Sequence, residues 1–297
     1  MKVQRVLLST KKTALEYFKE HTDFLEDALP KRELTDIRAR HDAHYASLDK
    51  IRRVLTDRGI QFSRSYMPYS EYEDFRGKDL IISVGGDGTV LNSSQYIIDR
   101  TPMLAVRSDR RSLGVLCEID AQDFEQALER IVRDDYEVQE WTRVEGRFGS
   151  RRLFALNEVF VGARHNPSMA RYEIVFGGKR ETQMSSGIVI TTGAGSTGWY
   201  ANIPGSDGGF PRTSKELRFI VREHNVACRY AMTKGTIRKG EVMTVRSKMN
   251  VDGCVSFDGD FGKRMFEFGR GDVLRVRASA LPVRVVSFGG SGKGGRG

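Results

Sequence analysis

A strand that runs directly into a glycine-rich turn, and then into a helix, constrains the fold of this chain more than any other feature. The apolar run DLIISV (79–84) is followed by GGDGT (85–89), after which TVLNSSQYIID (89–99) has a helical pattern. Such a turn lies at the carboxyl end of a strand, where open α/β sheets bind ligands. Its glycines let backbone N–H groups approach an anion, and the helix adds the positive end of its dipole. The pattern predicts a phosphate-binding turn.

Strands and helices alternate around this turn over the first third of the chain. A strand, KVQRVLLST, opens it, and the second of two helical patterns ends at Gly59, as a helix with a glycine cap would. The other elements are the helical TALEYFKEHTDFLEDAL, HYASLDKIRRVLTDRG and AQDFEQALERIVRDD, and the strands IQFSRSY and MLAVRS. The alternation predicts an α/β N-terminal domain with a mostly parallel sheet over residues 1–137.

From about Tyr136 the chain changes to short β-rich runs separated by Gly, Asn, Asp or Ser turns, with little helix between them. This pattern of short strands and turns predicts an all-β C-terminal domain over residues 138–288, with a sandwich or layered arrangement of its sheets. The tail 289–297, GGSGKGGRG, is Gly-rich and basic, and we expect it to be disordered.

Asp87, in the middle of the glycine turn, indicates phosphoryl transfer. A carboxylate beside a phosphate cradle is repelled unless it ligates a metal or accepts a proton from an attacking hydroxyl. The alternative is that Asp87 and Thr89 only cap the following helix. The chain contains no GxxxxGK[ST], so a P-loop is excluded.

A second glycine motif, Gly193, Gly195 and Gly198 in GIVITTGAGSTGWY (187–200), has the spacing of a dinucleotide-binding fingerprint. A Rossmann unit needs these glycines to open a long helix. Here WYANIPGSDGGFPRT follows, and its prolines and glycines forbid more than about two helical turns. We therefore expect a different turn, which places backbone and short side chains around a ligand: Thr191, Thr192, Ser196 and Thr197.

An Asn–Glu pair, Asn157 and Glu158, interrupts the apolar run ALNEVFVG. Adjacent strand residues point to opposite faces, so the pair either ends a strand or has one side chain buried for a purpose. An amide beside a carboxylate suits ribose hydroxyl groups. The alternative is a turn-capping Asn with a solvated Glu.

Charge and composition limit the kinds of binding partner and the cellular compartment that we expect. The net charge of +9 favours anionic partners or simply a soluble surface. No apolar run approaches the roughly 20 residues that span a bilayer, and no secretory signal is present, so we expect a cytoplasmic protein. The three cysteines lie far apart and the five histidines are scattered, so no dedicated metal site is predicted.

GGDGT, LNEVFVG, SSGIVITTGAGSTGWYANI and VSFDG, in this order, resemble the NAD kinase family over most of the chain. The opening LLSTKKTALEYF, with Trp199 and Asn202, is closer to the branch with mitochondrial and some bacterial members. The resemblance implies the fold shared by NAD kinases and diacylglycerol kinases. It also implies transfer of a phosphoryl group from ATP or polyphosphate, with Mg²⁺, to the 2′-hydroxyl of the adenosine ribose of NAD.

The resemblance also implies roles for individual residues. Asp87 would be the general base, and Asn157 and Glu158 would bind the ribose on the nicotinamide side. Asp258, in SFDG, would sit near the site, with Asp252 as a rival for that role. The other expected substrate-binding residues are Gly86, Gly88, Thr89, Thr197, Gly198, Trp199 and Asn202.

The chain departs from the family pattern in VRSDRRSLGVL, where Arg107 takes an expected Asn position. Arg107, Arg110 and Arg111 either bind donor phosphate or form a solvated loop. The expected partners are small molecules, with no nucleic acid and no membrane, and a homodimer or homotetramer is implied. A lipid kinase of the diacylglycerol or sphingosine type and a non-catalytic NAD(P)-sensing protein stay open as alternatives.

Overall fold

The computed structural model describes residues 2–21, 29–67, 69–165, 168–225, 227–259 and 264–289. The chain divides into two compact units. The first unit comprises residues 1–139 and the segment from residue 284 onward, and the second unit comprises residues 140–283.

Among the described residues, the α-helices all lie in the first unit. They are α1 (Ala14–His21), α2 (Lys31–Asp57), α3 (Tyr72–Phe75), α4 (Asp87–Tyr96) and α5 (Phe124–Val132). Single 3₁₀ turns span Ala121–Asp123 and Tyr200–Asn202. None of the helices in the described ranges has both the length and the apolar content needed to cross a membrane.

The strands form three sheets. In chain order they are β1 (Arg5–Thr10), β2 (Gln61–Tyr66), β3 (Leu80–Gly85), β4 (Met103–Arg107), β5 (Ile119–Asp120), β6 (Glu137–Trp141), β7 (Val144–Phe148), β8 (Arg151–Ala155), β9 (Glu158–Ala163), β10 (Ala170–Phe176), β11 (Lys179–Ser185), β12 (Gly187–Thr191), β13 (Leu217–Arg222), β14 (Lys234–Ile237), β15 (Met243–Ser247), β16 (Gly253–Phe257), β17 (Met265–Glu267), β18 (Val273–Ala278) and β19 (Val283–Ser287).

Sheet I, in the first unit, has the order β2-β1-β3-β4-β19-β6, with β5 beside β4. The pairs β1–β2, β1–β3, β3–β4, β4–β5 and β4–β19 are parallel, which confirms the predicted mostly parallel sheet. Every residue of β3 is buried, as expected for a parallel strand covered on both faces. The apolar side chains of α2 and α5 pack with those of β1, β3 and β4 in one core.

The chain returns to sheet I at its end, which differs from the predicted extent of the second domain. Residues 284–288 were expected in the all-β domain, but β19 pairs in parallel with β4, with Val285 opposite Met103. The run VRVVS has the same apolar texture as the β-rich region, so its local pattern does not reveal its distant partner. The residues of the tail from 290 onward lie outside the described ranges.

The second unit consists of two antiparallel sheets. Sheet II has the order β11-β10-β15-β18-β7-β8, and sheet III has the order β14-β13-β12-β9-β16-β17. Tyr172, Val245 and Leu274 of sheet II pack with Val161, Ile190 and Phe219 of sheet III in one core. Because alternate residues of each strand enter this core, the unit is a layered all-β domain, as predicted.

The helical predictions hold where the structure describes the chain. The second predicted helix ends before Gly59, which has a φ of +66°, although the helix begins earlier than expected, at Lys31 after Pro30. The first predicted helix is seen over Ala14–His21, and its expected continuation falls on residues 22–28, outside the described ranges. After Gly198 there is only the 3₁₀ turn Tyr200–Asn202, so the second glycine motif does not open a Rossmann helix.

Candidate functional site

The GGDGT turn joins β3 to α4 at the carboxyl edge of sheet I. Gly86 is the N-cap of α4, and its carbonyl oxygen accepts the N–H groups of Thr89 at 2.9 Å and Val90 at 3.2 Å. Thr89 is buried and folds back over β3, where a Cβ on Gly85 would lie 2.0 Å from the Thr89 hydroxyl oxygen. Gly85 is therefore required by packing within the turn itself.

Gly88 has a different reason for being glycine. A Cβ at Gly88 would meet no atom within 4 Å, and one at Gly86 would meet only the side chain of Ser112, at 3.6 Å. Neither position has a positive φ, so internal packing and backbone strain do not explain these two glycines. The first N–H groups of a helix have no partner within it. Open space beside such donors is suited to the close approach of an anion.

Asp87 is the first residue of α4, and its carboxylate is held by the backbone of the loop that follows β4. The N–H of Leu116 donates to Oδ1 at 2.7 Å, and the N–H of Val115 donates to Oδ2 at 3.1 Å. A carboxylate oxygen can accept more than one hydrogen bond, so both oxygens keep acceptor capacity. The Asp87 carboxylate can therefore accept a proton or contact a cation while its position stays fixed.

Cys117 lies in the same loop but is not a nucleophile. Burial raises the pKa of its thiol to about 12, and the charge of Asp87 acts in the same direction. A thiol with such a pKa is protonated at neutral pH. The chemistry of this cluster therefore depends on Asp87 and the N–H groups around it.

The three arginines at the end of β4 and in the loop after it are paired with carboxylates of their own unit. The Arg107 Nε donates to Asp120 at 2.6 Å, and its Nη1 donates to the carbonyl oxygens of Ser112 and Leu113, both at 3.2 Å. The Arg110 Nε donates to the other oxygen of Asp120 at 2.9 Å. Arg107 thus connects β4 to the loop whose N–H groups hold Asp87.

Arg111 is bound in a different direction from the other two arginines. Its Nε donates to Asp109 at 2.9 Å, and its Nη2 donates to the Ala39 carbonyl oxygen of α2 at 2.7 Å. Arg107 and Arg110 line a cavity of about 390 Å³ beside α2, and Arg110 keeps 60% of its side chain exposed. The solvated-loop interpretation does not describe Arg107, whose side chain is only 18% exposed.

In the second unit, the Asn–Glu pair stands at the start of β9. Asn157 precedes the strand and Glu158 is its first residue. The Oδ1 of Asn157 and the Oε2 of Glu158 are buried, and neither has a hydrogen-bond partner among the described protein atoms. Buried polar atoms without a partner are rare in folded proteins and are expected at ligand sites. Burial raises the pKa of Glu158 to about 8, and the nearby charge of Asp258 adds to the shift.

Asp258 fixes the backbone of the Asn–Glu pair. Its carboxylate accepts the backbone N–H groups of Leu156 at 2.9 Å, Asn157 at 2.7 Å and Glu158 at 3.2 Å. The side chain is 1% exposed, and the Nη1 of Arg264 lies 3.7 Å from Oδ2. Burial raises the pKa of Asp258, against the effects of Arg264 and the three N–H donors. The buried carboxylate is therefore turned toward its own chain.

The two rival aspartates lie at opposite ends of one strand. Asp258 follows β16 beside Glu158, whereas Asp252 precedes β16 and its carbonyl oxygen accepts the N–H of Arg164 at 2.8 Å. The Asp252 carboxylate binds the ring of His165. Of the two, the structure brings only Asp258 to the Asn–Glu pair.

The TTGAGSTGW turn packs against the same pair. The carbonyl oxygen of Asn157 accepts the N–H of Thr192 at 2.9 Å and the hydroxyl of Thr191 at 3.1 Å. A Cβ on Gly195 would lie 2.4 Å from that carbonyl oxygen, and one on Gly193 would lie 2.0 Å from the carbonyl oxygen of Pro211. These glycines therefore allow the close approach of two backbone segments.

The far side of this turn is open to solvent. Thr197, Gly198 and Trp199 are exposed, with Trp199 at 39%. The Trp199 ring packs on Phe160 with centroids 5.2 Å apart. The Asn202 side chain donates to the carbonyl oxygen of Gly198 at 2.9 Å and so fixes the end of the turn.

Three contributors to these clusters have no distinct sequence signal. They are the backbone N–H groups of Val115 and Leu116 around Asp87, Asp120 as the partner of Arg107, and Arg264 as the partner of Asp258. Arg264 follows FDGDFGK, which has the composition of a solvated turn, yet its side chain is 9% exposed. Within the described ranges, no group of three or more His, Cys, Asp or Glu side chains could hold a metal ion.

Solved structures with this fold include an NAD kinase and an NADH kinase. Yeast NADH kinase complexed with NADH superimposes with a TM-score of 0.72 at 15% identity, over 97% of this chain and 84% of the yeast chain. An NAD kinase from Archaeoglobus fulgidus in complex with ATP gives a TM-score of 0.67 at 19% identity, over 97% of this chain and 94% of the archaeal chain. These matches place the chain among proteins with the NAD kinase fold, as predicted.

Sequence comparisons narrow this class to one family. The family model of the ATP-NAD kinase N-terminal domain matches residues 6–136. A probable NADH kinase from Oryza sativa subsp. japonica is 31% identical over 239 residues, which cover 70% of each chain. An NAD kinase from Heliobacterium modesticaldum is 30% identical over 236 residues, covering 75% of this chain and 79% of the relative.

The chain belongs to the NAD kinase family. The predicted resemblance and the predicted enzyme class are thereby confirmed, and the family favours an NAD kinase over the lipid kinase alternative. The closer placement in the branch with mitochondrial members stays a prediction.

Proposed function

We propose that this chain transfers a phosphoryl group from ATP or polyphosphate to the 2′-hydroxyl of the adenosine ribose of NAD, giving NADP. The observation that carries the proposal is the fixed Asp87 carboxylate beside Gly86 and Gly88, two glycines that the packing of the chain does not require. This arrangement combines an acceptor for a hydroxyl proton with donors for phosphate oxygens. Positioning and charge stabilisation provide most of the rate in phosphoryl transfer, so no covalent intermediate is needed.

In the proposed reaction, the 2′-oxygen attacks the terminal phosphorus of the donor. The bond to the bridging oxygen breaks, and ADP or a polyphosphate shorter by one phosphate leaves. The hydroxyl proton passes to the Asp87 carboxylate. The backbone donors at Gly86 and Gly88, with the hydroxyl of Thr89, hold phosphates of NAD or of the donor.

The residues of the second unit are assigned to recognition of NAD. Asn157 and Glu158 bind the hydroxyl groups of the ribose on the nicotinamide side, through the buried atoms that have no partner among the described residues. With a pKa near 8, Glu158 is protonated at neutral pH and donates to a hydroxyl oxygen. Thr197, Gly198, Trp199 and Asn202 form walls for the adenine and nicotinamide rings.

Asp258 acts in this proposal by positioning the Asn157–Glu158 backbone, without touching the substrate. Its carboxylate faces three N–H groups of the chain and is almost fully buried. Arg107 likewise acts by positioning, because it ties the loop around Asp87 to Asp120. Arg110, which is more exposed, keeps the predicted role of a donor-phosphate contact.

The residues of the GGDGT turn (85–89) fit a Mg²⁺ ion that binds together with the phosphoryl donor. Mg²⁺ is commonly bound by one or two carboxylates together with substrate phosphates and water, and Asp87 keeps free acceptor capacity on both oxygens. When bound, the ion would neutralise charge on the donor phosphates. Asp87 is the residue that would contact it, directly or through water.

We also propose a cytoplasmic protein that assembles as a homodimer or homotetramer, with small-molecule substrates and no nucleic acid or membrane partner. Light scattering on the purified chain tests the assembly. A mass of one chain at micromolar concentration would contradict it.

The reaction is tested by incubating the purified chain with NAD, Mg²⁺ and either ATP or polyphosphate, and by detecting NADP with a coupled dehydrogenase. Parallel reactions contain NADH as acceptor, or vesicles carrying diacylglycerol or sphingosine. We expect NADP from at least one donor and no phosphorylated lipid. Binding of NAD without turnover from either donor would support the sensing protein instead, and phosphorylated lipid without NADP would support the lipid kinase.

A further inference from the structure

The outer face of sheet II carries many more cations than carboxylates. On each strand one set of alternate residues enters the core, including Tyr172, Val245 and Val276, so the other set faces outward. The outward set has two carboxylates, Glu145 and Glu173. The cations that accompany them, which together form the basic face, are Arg147, Arg152, Arg171, Arg180, Arg246, Lys248, Arg275 and Arg277.

Glu145 is shared by three of these arginines. Its side chain is 0% exposed and accepts from Arg277 at 2.7 Å and Arg152 at 3.0 Å, with the Arg147 Nε 3.7 Å away. Burial raises the pKa of Glu145, but the two closer arginines outweigh it and hold this pKa below its usual value. The three guanidinium groups are 41–60% exposed above the single buried charge. The surface presented to solvent is therefore positive.

The strand register places like charges directly opposite one another. Arg147 of β7 lies opposite Arg152 of β8 on one side and opposite Arg275 of β18 on the other. Neighbouring strands are about 4.8 Å apart, so three cations form a row across three strands. Like charges in directly opposite positions destabilise a sheet. Glu145 offsets this cost for Arg147 and Arg152. A bound anion would offset it for Arg275 and for the excess positive charge of the row.

The positive surface continues toward the other edge of the sheet. The buried Glu173 of β10 has Arg180 at 3.5 Å, Arg246 at 3.8 Å and Lys248 at 3.9 Å. Here again three cations surround one carboxylate that is 10% exposed. The basic face thus spans sheet II from β8 to β11, about 24 Å at the usual strand spacing.

We propose that the basic face binds a linear chain of linked phosphates, with inorganic polyphosphate as the probe. A row of separate cations on an open sheet encloses no single small anion, but a flexible polyanion contacts several of them at once and releases its counterions. No aromatic ring is exposed on this face among the described residues, so the stacking platform typical of single-stranded nucleic acids is lacking. A second copy docked by two-fold symmetry would bring like charges together.

The test compares two double variants of the full-length chain by calorimetric titration with polyphosphate of defined length. Arg147→Gln with Arg275→Gln removes two cations from the row and leaves Arg152 and Arg277 to hold Glu145. Arg52→Gln with Arg53→Gln removes the same charge from an exposed part of α2 and is the matched control. Thermal melting, which neither pair should lower, and ATP-dependent NADP formation, which neither pair should change, show that both variants are folded.

We expect Arg147→Gln with Arg275→Gln to weaken polyphosphate binding about tenfold. The magnitude of the slope of log K against log salt concentration should fall by about 1.4, because each phosphate contact contributes about 0.7 in a flexible strand. The control should change affinity less than twofold. Equal losses in both variants would overturn the proposal, because binding would then follow net charge alone. It would also be overturned if a single-stranded oligonucleotide of equal length bound more tightly and with the same dependence on Arg147 and Arg275.

Discussion

The carboxylate of Asp258 accepts the backbone N–H of Asn157 at 2.7 Å, and the two residues are 101 positions apart in the chain. The same carboxylate also accepts the N–H groups of Leu156 and Glu158, so it fixes the segment that presents the Asn–Glu pair. Asp258 has a φ of +56°, a conformation that Asn tolerates at least as well as Asp. Asn at this position thus isolates the effect of the charge from that of backbone strain.

We expect Asp258→Asn to destabilise the protein by about 2–3 kcal/mol, because its amide nitrogen is a donor that cannot accept from the N–H groups it would face. The KM for NAD should rise as the Asn157–Glu158 segment loses its position. Thermal melting and steady-state kinetics measure the two effects. Asp252→Asn is the matched control, since Asp252 lies at the other end of the same strand with a φ of +65°. If the two variants behaved alike, the positioning role of Asp258 would be rejected.

The glycines of the second motif should differ sharply in their tolerance of a methyl group. Gly195→Ala would place a Cβ 2.4 Å from the Asn157 carbonyl oxygen, and this backbone cannot move without shifting the pair. We expect a loss of roughly 2–3 kcal/mol of stability, typical of overpacking at a buried contact. Gly198→Ala meets only the Gly195 carbonyl oxygen, at 3.3 Å, and should melt within about 2 °C of the wild type, a change of under 1 kcal/mol. Similar melting temperatures for the two variants would contradict this account of the motif.

The sequence predicts those elements whose structure is determined by residues close to them in the chain. β3, the glycine turn and α4 follow one another directly, and the continuous apolar run of β3 indicates burial on both faces without knowledge of its partners. From sequence, Asp258 and Arg107 are only candidates for ligand contact, because their actual partners are distant backbone groups and Asp120. The place of β19 in sheet I could not be predicted for the same reason. Its apolar pattern fits either unit, and only its pairing with β4 decides between them.

Substitutions of Arg107 and Arg110 should affect different kinetic constants. Arg107→Gln removes the bonds to Asp120 and to the loop that holds Asp87, so we expect kcat to fall about tenfold or more, given the sensitivity of catalysis to placement, with little change in the KM of the donor. Arg110→Gln should raise the donor KM and leave kcat nearly unchanged. Steady-state kinetics with varied ATP or polyphosphate measure both. A rise in donor KM without loss of kcat in Arg107→Gln would show that Arg107 contacts the donor.

Glu158 should give the protein a pH dependence that its amide variant lacks. Its pKa of about 8 in the folded state lies above the ordinary value of 4.5, so the folded protein retains a proton that the unfolded chain has lost between these two pH values. The stability from the protonated carboxyl is fully present below pH 4.5 and is lost as the pH rises through 8.

We therefore expect the melting temperature of the wild type, relative to Glu158→Gln, to decrease from about pH 5.5 to about pH 9. The KM for NAD should rise through the same window in the wild type and stay flat in the variant. A constant difference in melting temperature across this range would mean that the folded-state pKa of Glu158 is not raised.

Asp87→Asn tests most directly whether the Asp87 carboxylate accepts the proton of the attacking hydroxyl. Asn keeps an oxygen for the shorter of the two loop hydrogen bonds, from the N–H of Leu116, but it cannot serve as a base. NADP formation and NAD binding are measured on the same preparation, with melting temperature as the check on folding. We predict that kcat falls by about 10²–10⁴-fold, as for other general bases, while the Kd for NAD changes less than about threefold. A variant that keeps more than a tenth of the wild-type kcat would contradict the role of Asp87.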